Sequence, residues 1–181
     1  MTDFGAGSYH LDLKDPRTLE QLVHEYAQPL VRYACSFLGS TAAAEDAMEE
    51  AMAALLLHGG HFRSPEHLRA WLYKTTRNKA VDELRRHSRE LPLENELLLT
   101  DADAEQLLMK KQRDRHLYAG LRQLPVQYRD VLVLTYFDGF SVEQICRIQN
   151  KSAKQVYNLL SRGRVALREL LMKEGMTVED L

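Results

Sequence analysis

Two stretches of this chain carry side chains suited to gripping a polyanion and reading its polar edges. The first, from Arg69 to Arg89, holds seven basic residues (Arg69, Lys74, Arg77, Lys79, Arg85, Arg86, Arg89) against two acids, Asp82 and Glu83. Within it, Trp71, Asn78, Asp82, Arg85 and Arg89 follow one another at spacings of seven, four, three and four, which places them on one face of a helix. An aromatic near the start of that face and an amide in its middle suit stacking and hydrogen bonding, and the cations around them suit phosphates. A solvated charged face beside a core Trp fits this helix equally well when it is taken alone.

The second stretch follows Ser152. Val156, Leu159, Leu160, Leu167, Leu170 and Leu171 recur at helical spacing and predict a buried face. That leaves Lys154, Gln155, Tyr157, Asn158, Ser161, Arg162 and Arg164 pointing outward. Gln and Asn can pair with adenine through two hydrogen bonds and Arg with guanine, while Lys, Ser and Tyr can hold phosphates. From Ser141 to Lys173 the balance is again seven bases to two acids. A plain helical hairpin with a solvated face is the bland alternative.

The elements that must position these groups are helical throughout. Ser64 is a suitable N-cap, Pro65 fits the first helical position, and Glu66 places a negative charge in the first turn. A helix from there would bury Leu68, Leu72, Ala80, Val81 and Leu84. Upstream, an amphipathic pattern predicts a helix over 18–38, with Pro29 a possible kink and Gly39 its stop. A second is expected over 42–57, followed by a loop at His58-Gly59-Gly60-His61. Downstream, helices are expected over 103–124 and 125–137. Ser141-Val-Glu-Gln144 and Ser152-Ala-Lys-Gln155 then fit the capping-box pattern, with Asn150 at a left-handed turn position between them. A short and then a long capped helix joined by a tight turn make a helix-turn-helix. The fold class expected is all-α, with two small helical domains joined by an acidic linker and the C-terminal one a helix-turn-helix.

The boundaries expected are an extension over 1–17, taken as loose, a first domain over 18–89, a linker over 90–103, a second domain over 104–173 and a tail over 174–181. Glu90 to Glu105 carries six acids and no base, so the net charge of −2 and pI near 6.4 conceal two basic surfaces. As extended chain the linker reaches roughly 50 Å at about 3.3–3.6 Å per residue, but about 20 Å as relaxed coil. Its Leu97-Leu98-Leu99 is suited to docking on a domain or a partner.

Several functions find no support. Cys35 and Cys146 stand alone, with neither a C-x-x-C nor a zinc spacing, and read as reduced thiols. His58, His61 and His67 gather near one loop without an acid or Cys at ligand spacing, so no metal and no cofactor are expected. No Ser-His-Asp, paired-carboxylate or phosphate-loop arrangement stands out, and the chain is not expected to be an enzyme. A membrane-length apolar run and a signal-peptide core are both lacking, so a cytoplasmic protein without membrane insertion is expected.

Three segments together resemble the extracytoplasmic-function (ECF) group of the sigma-70 family of bacterial RNA polymerase sigma factors. AEDAMEEAM at Ala44–Met52 is similar to that family's polymerase-binding helix. WLYKTTRNKAVDELRR at Trp71–Arg86 is similar to its segment for opening and reading the −10 promoter element. LPVQYRDVLVLTYFDGFSVEQI at Leu124–Ile145, followed by QVYNLLSRGR at Gln155–Arg164, is similar to its −35-binding domain. The resemblance spans about Leu19 to Leu171. It implies an alternative sigma factor that directs promoter recognition, melting and transcription initiation. Glu45, Asp46, Glu49 and Glu50 would dock on the clamp coiled coil of the β′ subunit of core polymerase. Trp71, Asn78, Asp82, Arg85 and Arg86 would serve the −10 element, and the loop from Phe62 to His67 would receive a flipped base. Lys154, Gln155, Tyr157, Asn158, Ser161, Arg162 and Arg164 would serve the −35 element. An inhibitory anti-sigma protein is an expected partner beside core polymerase and promoter DNA. The chain departs from the family pattern at Glu49, Met52, Asn150, Leu159 and the Ser152–Gln155 turn. A helix-turn-helix regulator that does not replace a sigma factor, and a helical adaptor that binds protein only, are the alternatives.

Overall fold

The computed structural model describes residues 8–90, 117 and 120–173, with 87–90 as backbone only. The first helix, α1, spans Pro16–Leu38. It starts two residues before the expected position because the Asp15 side chain accepts from Arg17 N, which makes Asp15 the cap and Pro16 the first helical residue. It runs on through Pro29, whose i−4 carbonyl belongs to the exposed Glu25. Gly39, at φ 64°, ends it in the left-handed conformation. Helix α2 covers Thr41–His58 with Ser40 as N-cap, and α3 covers Pro65–Glu90.

Residues 8–15, within the extension expected to be loose, are ordered against the rest of the fold. Tyr9–His10 (β1) pairs antiparallel with His61–Phe62 (β2), Tyr9 opposite Phe62, and Leu11 is buried. Leu11 N donates to Gly60 O at 2.9 Å. A Cβ on Gly60 would stand 2.5 Å from Leu11 O, and its φ is +76°, so only glycine lets the strand approach this closely. A pair of two-residue strands carries little sequence signal, which is why the helical periodicities left it invisible. The expected linker and the start of the second domain, including Leu97–Leu99, lie outside the described residues.

In the C-terminal half, α4 spans Val126–Tyr136, α5 Val142–Gln149 and α6 Ala153–Lys173. Ser141 and Gln144 form a reciprocal capping box, and Asn150 takes φ 53°, ψ 50° at the turn. The sharp reversal lets α6 fold back across α4, where Gly163 meets Tyr128 and Leu132 closely: a Cβ there would lie 3.2 Å from Tyr128 Cβ. The described residues are thus all-α apart from the small ribbon, and α5 and α6 form a helix-turn-helix. Leu30, Leu38, Leu55, Leu68 and Leu72 fill the N-terminal core; Leu132, Leu134, Ile145, Ile148 and Val156 fill the C-terminal one. The two cores are contiguous, because α4 packs on α1 and α5 packs on α3.

Candidate nucleic-acid interface

Helix α3 is fixed at its start by its own cap. His67 N donates to Ser64 Oγ at 3.3 Å, and a hydrogen bond with Ser64 holds the Glu66 carboxyl below its ordinary range. Leu68, Leu72 and Ala80 are buried as expected, whereas Val81 and Leu84 are only half-buried at the flank. The opposite face presents Asn78, Asp82, Arg85 and Arg86 to solvent. Two of these cations lie against their own helix, Arg85 at 3.6 Å from Asp82 and Arg86 at 3.3 Å from Glu83. Trp71, on the same face, is half-buried, with its ring 5.9 Å from Phe62 and 5.0 Å from His58. It braces the loop before α3, and the rings around it come from two other elements, His58 of α2 and Phe62 of β2, that the spacing on α3 could not bring to view.

On α6 every residue expected to face outward does so: Lys154, Gln155, Tyr157, Asn158, Ser161, Arg162 and Arg164 are exposed. Val156, Leu160 and Leu171 are buried, and Leu159, Leu167 and Leu170 partly so. One expected reader has a competing duty. Gln155 Oε1 accepts from Ser152 N at 2.9 Å and from Ser152 Oγ at 3.1 Å, as the third residue of the cap. A glutamine must offer both its oxygen and its NH2 to pair with adenine twice; with the oxygen engaged at the cap, Gln155 has its NH2 left to offer. Arg164 Nε also turns back, to Leu160 O at 3.3 Å.

Glu45, Asp46, Glu49 and Glu50 stand exposed on α2, while Ala44, Ala47, Ala51 and Leu55 carry its buried face. Glu50 Oε2 reaches Lys79 Nζ at 2.7 Å across a shallow groove also bordered by Asp46, Glu83 and Arg86. Both partners are well exposed, so this pair contributes at most about 1 kcal/mol. At the end of the same helix Leu57 is 91% exposed beside the half-exposed Leu56.

A further polar cluster, absent from the expectations, joins the two halves. Asp130 on α4 has no exposed surface; it accepts from Tyr33 Oη at 2.7 Å and Arg77 Nε at 2.6 Å. Burial pulls the Arg77 guanidinium down, but the Asp130 carboxylate outweighs it and leaves Arg77 above its ordinary value. Asp138 accepts from Tyr73 Oη at 2.9 Å, and burial raises its carboxyl to about 6. Arg129 donates to the carbonyls of Leu121, Arg122 and Leu124, ending the preceding helical turn, and to Ser36 O of α1 at 2.6 Å. Its burial lowers the guanidinium to about 10, so it is still charged at neutral pH. The sequence held one signal for this cluster: Asp130 is a lone acid beside the apolar run Val131–Leu134.

Among the described residues no group of three or more His, Cys, Asp or Glu side chains is placed to hold a metal ion. Among the same residues, no helix is long and apolar enough to cross a membrane.

The chain matches two family models, Sigma-70 region 2 over residues 22–90 and Sigma-70, region 4 over residues 115–167, together about two thirds of its length. It is 26% identical over 169 residues to the ECF RNA polymerase sigma factor SigW of Bacillus subtilis, covering 87% of this chain and 90% of that one. Its fold is similar to that of CnrH, solved in complex with the cytosolic domain of CnrY: TM-score 0.65, 24% identity, 88% of this chain and 90% of CnrH covered. It is also similar to the sigma factor RpoE, solved with the anti-sigma factor NepR from Bartonella quintana, at TM-score 0.62 and 20% identity over 86% of this chain and 98% of RpoE.

Proposed function

The chain belongs to the ECF group of the sigma-70 family and is an alternative RNA polymerase sigma factor, and on that premise we propose how its surfaces divide the work. The acidic face of α2, with Glu45, Asp46, Glu49 and Glu50, docks on the β′ clamp coiled coil of core polymerase. Asn78, Asp82, Arg85 and Arg86 on α3 read and hold the −10 element. Trp71 supports the loop from Phe62 to His67, which captures a base taken out of the stack. Unstacking costs a few kcal/mol per base, and capture offsets it. On α6, Asn158 reads base edges while Lys154, Tyr157, Ser161, Arg162 and Arg164 hold phosphates at the −35 element; Gln155 contributes through its amide NH2. The functional units run over 18–89 and 104–173, with 90–103 spanning between them.

The observation that carries this reading is the pair of base-rich helices, α3 and α6, each showing an exposed amide amid cations and each seated by a buried leucine face. The chain acts in the cytoplasm as a non-catalytic initiation factor. An anti-sigma protein restrains it, as suggested by the fold shared with RpoE, which was solved bound to one. Run-off transcription with core polymerase on the promoter of its own gene tests the reading. A transcript that depends on this chain supports it. Promoter binding without any affinity for core enzyme would instead leave a helix-turn-helix regulator.

A further inference from the structure

Between α2 and α3 the chain turns through Gly59 and Gly60, both in the left-handed conformation at φ 82° and 76°. Two consecutive glycines give the residues after them little local restraint, so their position has to be set from outside. On the downstream side the Ser64 cap fixes the start of α3. On the upstream side the hold comes from the N-terminal strand. Tyr9–His10 pairs with His61–Phe62, and Leu11 N donates to Gly60 O. That bond makes His10–His61 the non-hydrogen-bonded pair of the ladder, where side chains approach most closely. Their imidazoles stack with centroids 4.2 Å apart.

The strand is itself anchored by Leu11, which is buried in the hydrophobic core, with Tyr9 and Leu13 packed against that core on either side of it. Phe62, opposite Tyr9, carries the hold onward: its ring stacks on His58 at 4.6 Å and meets Trp71 edge-on. The loop from Phe62 to His67 is thus pinned at both ends and exposes Arg63 and Pro65 between them. A base that leaves the stack is retained only where the receiving loop already stands. An unpinned loop would have to be ordered at that moment, and the entropy lost would offset the gain from capture.

We propose that Tyr9–Leu11 is the positioning element of the base-capture loop, and that it governs promoter opening rather than attachment to polymerase or to duplex DNA. The proposal rests on the assignment of residues 62–67 to base capture and adds the element that holds them in place. Leu11 acts through the ribbon and is a positioning residue.

The test uses the full chain. Leu11→Ala removes the anchor and keeps the backbone. Trp71 is the only tryptophan, so its emission reports the loop; in Leu11→Ala it moves to longer wavelength while helix content is unchanged. With core polymerase, on a promoter that the wild type opens, a fluorescent adenine analogue at the −10 element reads opening. Opening slows roughly tenfold in the variant, within the range that small misplacements of positioning groups produce. Affinities for core polymerase and for duplex −35 DNA keep their wild-type values. Adding His10→Cys, His61→Cys and Cys146→Ser to Leu11→Ala allows a disulfide across the close pair, Cys35 being buried. Oxidation restores the opening rate, and reduction removes it again.

Where Leu11→Ala lowers helix content, Gly60→Ala displaces the strand at the same contact, since a Cβ there would stand 2.5 Å from Leu11 O. Unchanged opening in a well-folded variant overturns the proposal, as does a disulfide that forms without restoring opening. Loss of helix content in both variants, or equal losses of opening and core affinity, also overturns it and leaves the strand a structural part of the fold alone. Every comparison is made on a promoter that the wild type opens, so failure here and failure of run-off transcription are told apart.

Discussion

The base-rich stretches that contain α3 and α6 have matching charge on paper and different availability in space. Arg69–Arg89 of α3, and Ser141–Lys173 through α5 and α6, each carry seven bases to two acids. On α6 the outward residues stand in solvent, and the helix needs only its cap and its leucine face to present them. On α3, Arg69 and Arg77 are held by the opposite half, Lys79 by Glu50 of α2, and Arg85 and Arg86 by acids of the helix itself. Charge counting finds a surface that suits a polyanion; whether the surface is open depends on what else in the molecule carries the complementary charge.

The largest effect that separates the two helices should come from their seats. Leu72 on α3 is fully buried, and Leu72→Ala should cost about 2–5 kcal/mol of stability. If the two surfaces are independent, duplex −35 binding by α6 survives at temperatures where the variant N-terminal half has melted. Thermal unfolding followed beside DNA binding checks this, and simultaneous loss of both would show that the shared core makes them one cooperative unit.

Acidity should sharpen the contrast next. Asp138 is faced by Tyr73 and Arg69 of α3 and by Arg32 of α1, with Glu25 of α1 bordering the same pocket. Burial outweighs the lowering effects of Tyr73, Arg32 and Arg69 and lifts Asp138 from 3.8 to about 6 in the folded form. Unfolding returns it to water and its ordinary value, so the folded form binds the proton more tightly. Packing therefore strengthens as pH falls from about 6 to about 4 and weakens as pH rises through 6. With residual solvent screening the gain is about 1–2 kcal/mol. Thermal unfolding measured from pH 7 to pH 5 should report this gain, and an Asp138→Asn variant should lose it.

On α6, Asn158→Ala should relax preference at one base pair by about 1–3 kcal/mol where the contact is bidentate. Lys154→Ala should weaken binding to every sequence and lower the salt slope by about one. Equal losses from both variants on all sequences would remove the division between reader and grip.

The smallest effect on stability belongs to α2. Asp46→Arg with Glu50→Arg alters exposed positions and should change stability by no more than about 1 kcal/mol, the ceiling for the lost Glu50–Lys79 pair. The same pair should weaken binding to core polymerase. Unaltered affinity in a titration would take this surface out of the docking account.

By itself the sequence determined whatever is decided within one or two helical turns. Ser64-Pro65, Ser141–Gln144 and Ser152–Gln155 announced their helix starts, Gly39 a helix end and Asn150 the tight turn, because caps and left-handed positions are chosen by neighbouring residues. The outward set of α6 followed from the same period. The tertiary structure alone decided the rest. The Tyr9–His10 strand was settled by the close approach that Gly60 allows, and the half-burial of Trp71 by Phe62 and His58. The occupation of Arg69 and Arg77 was settled by groups 69 and 53 residues away along the chain. Periodicity reports which face of a helix is apolar. It does not report which distant carboxylate will be desolvated against a given arginine, because that pairing depends on where two independently capped halves come to rest.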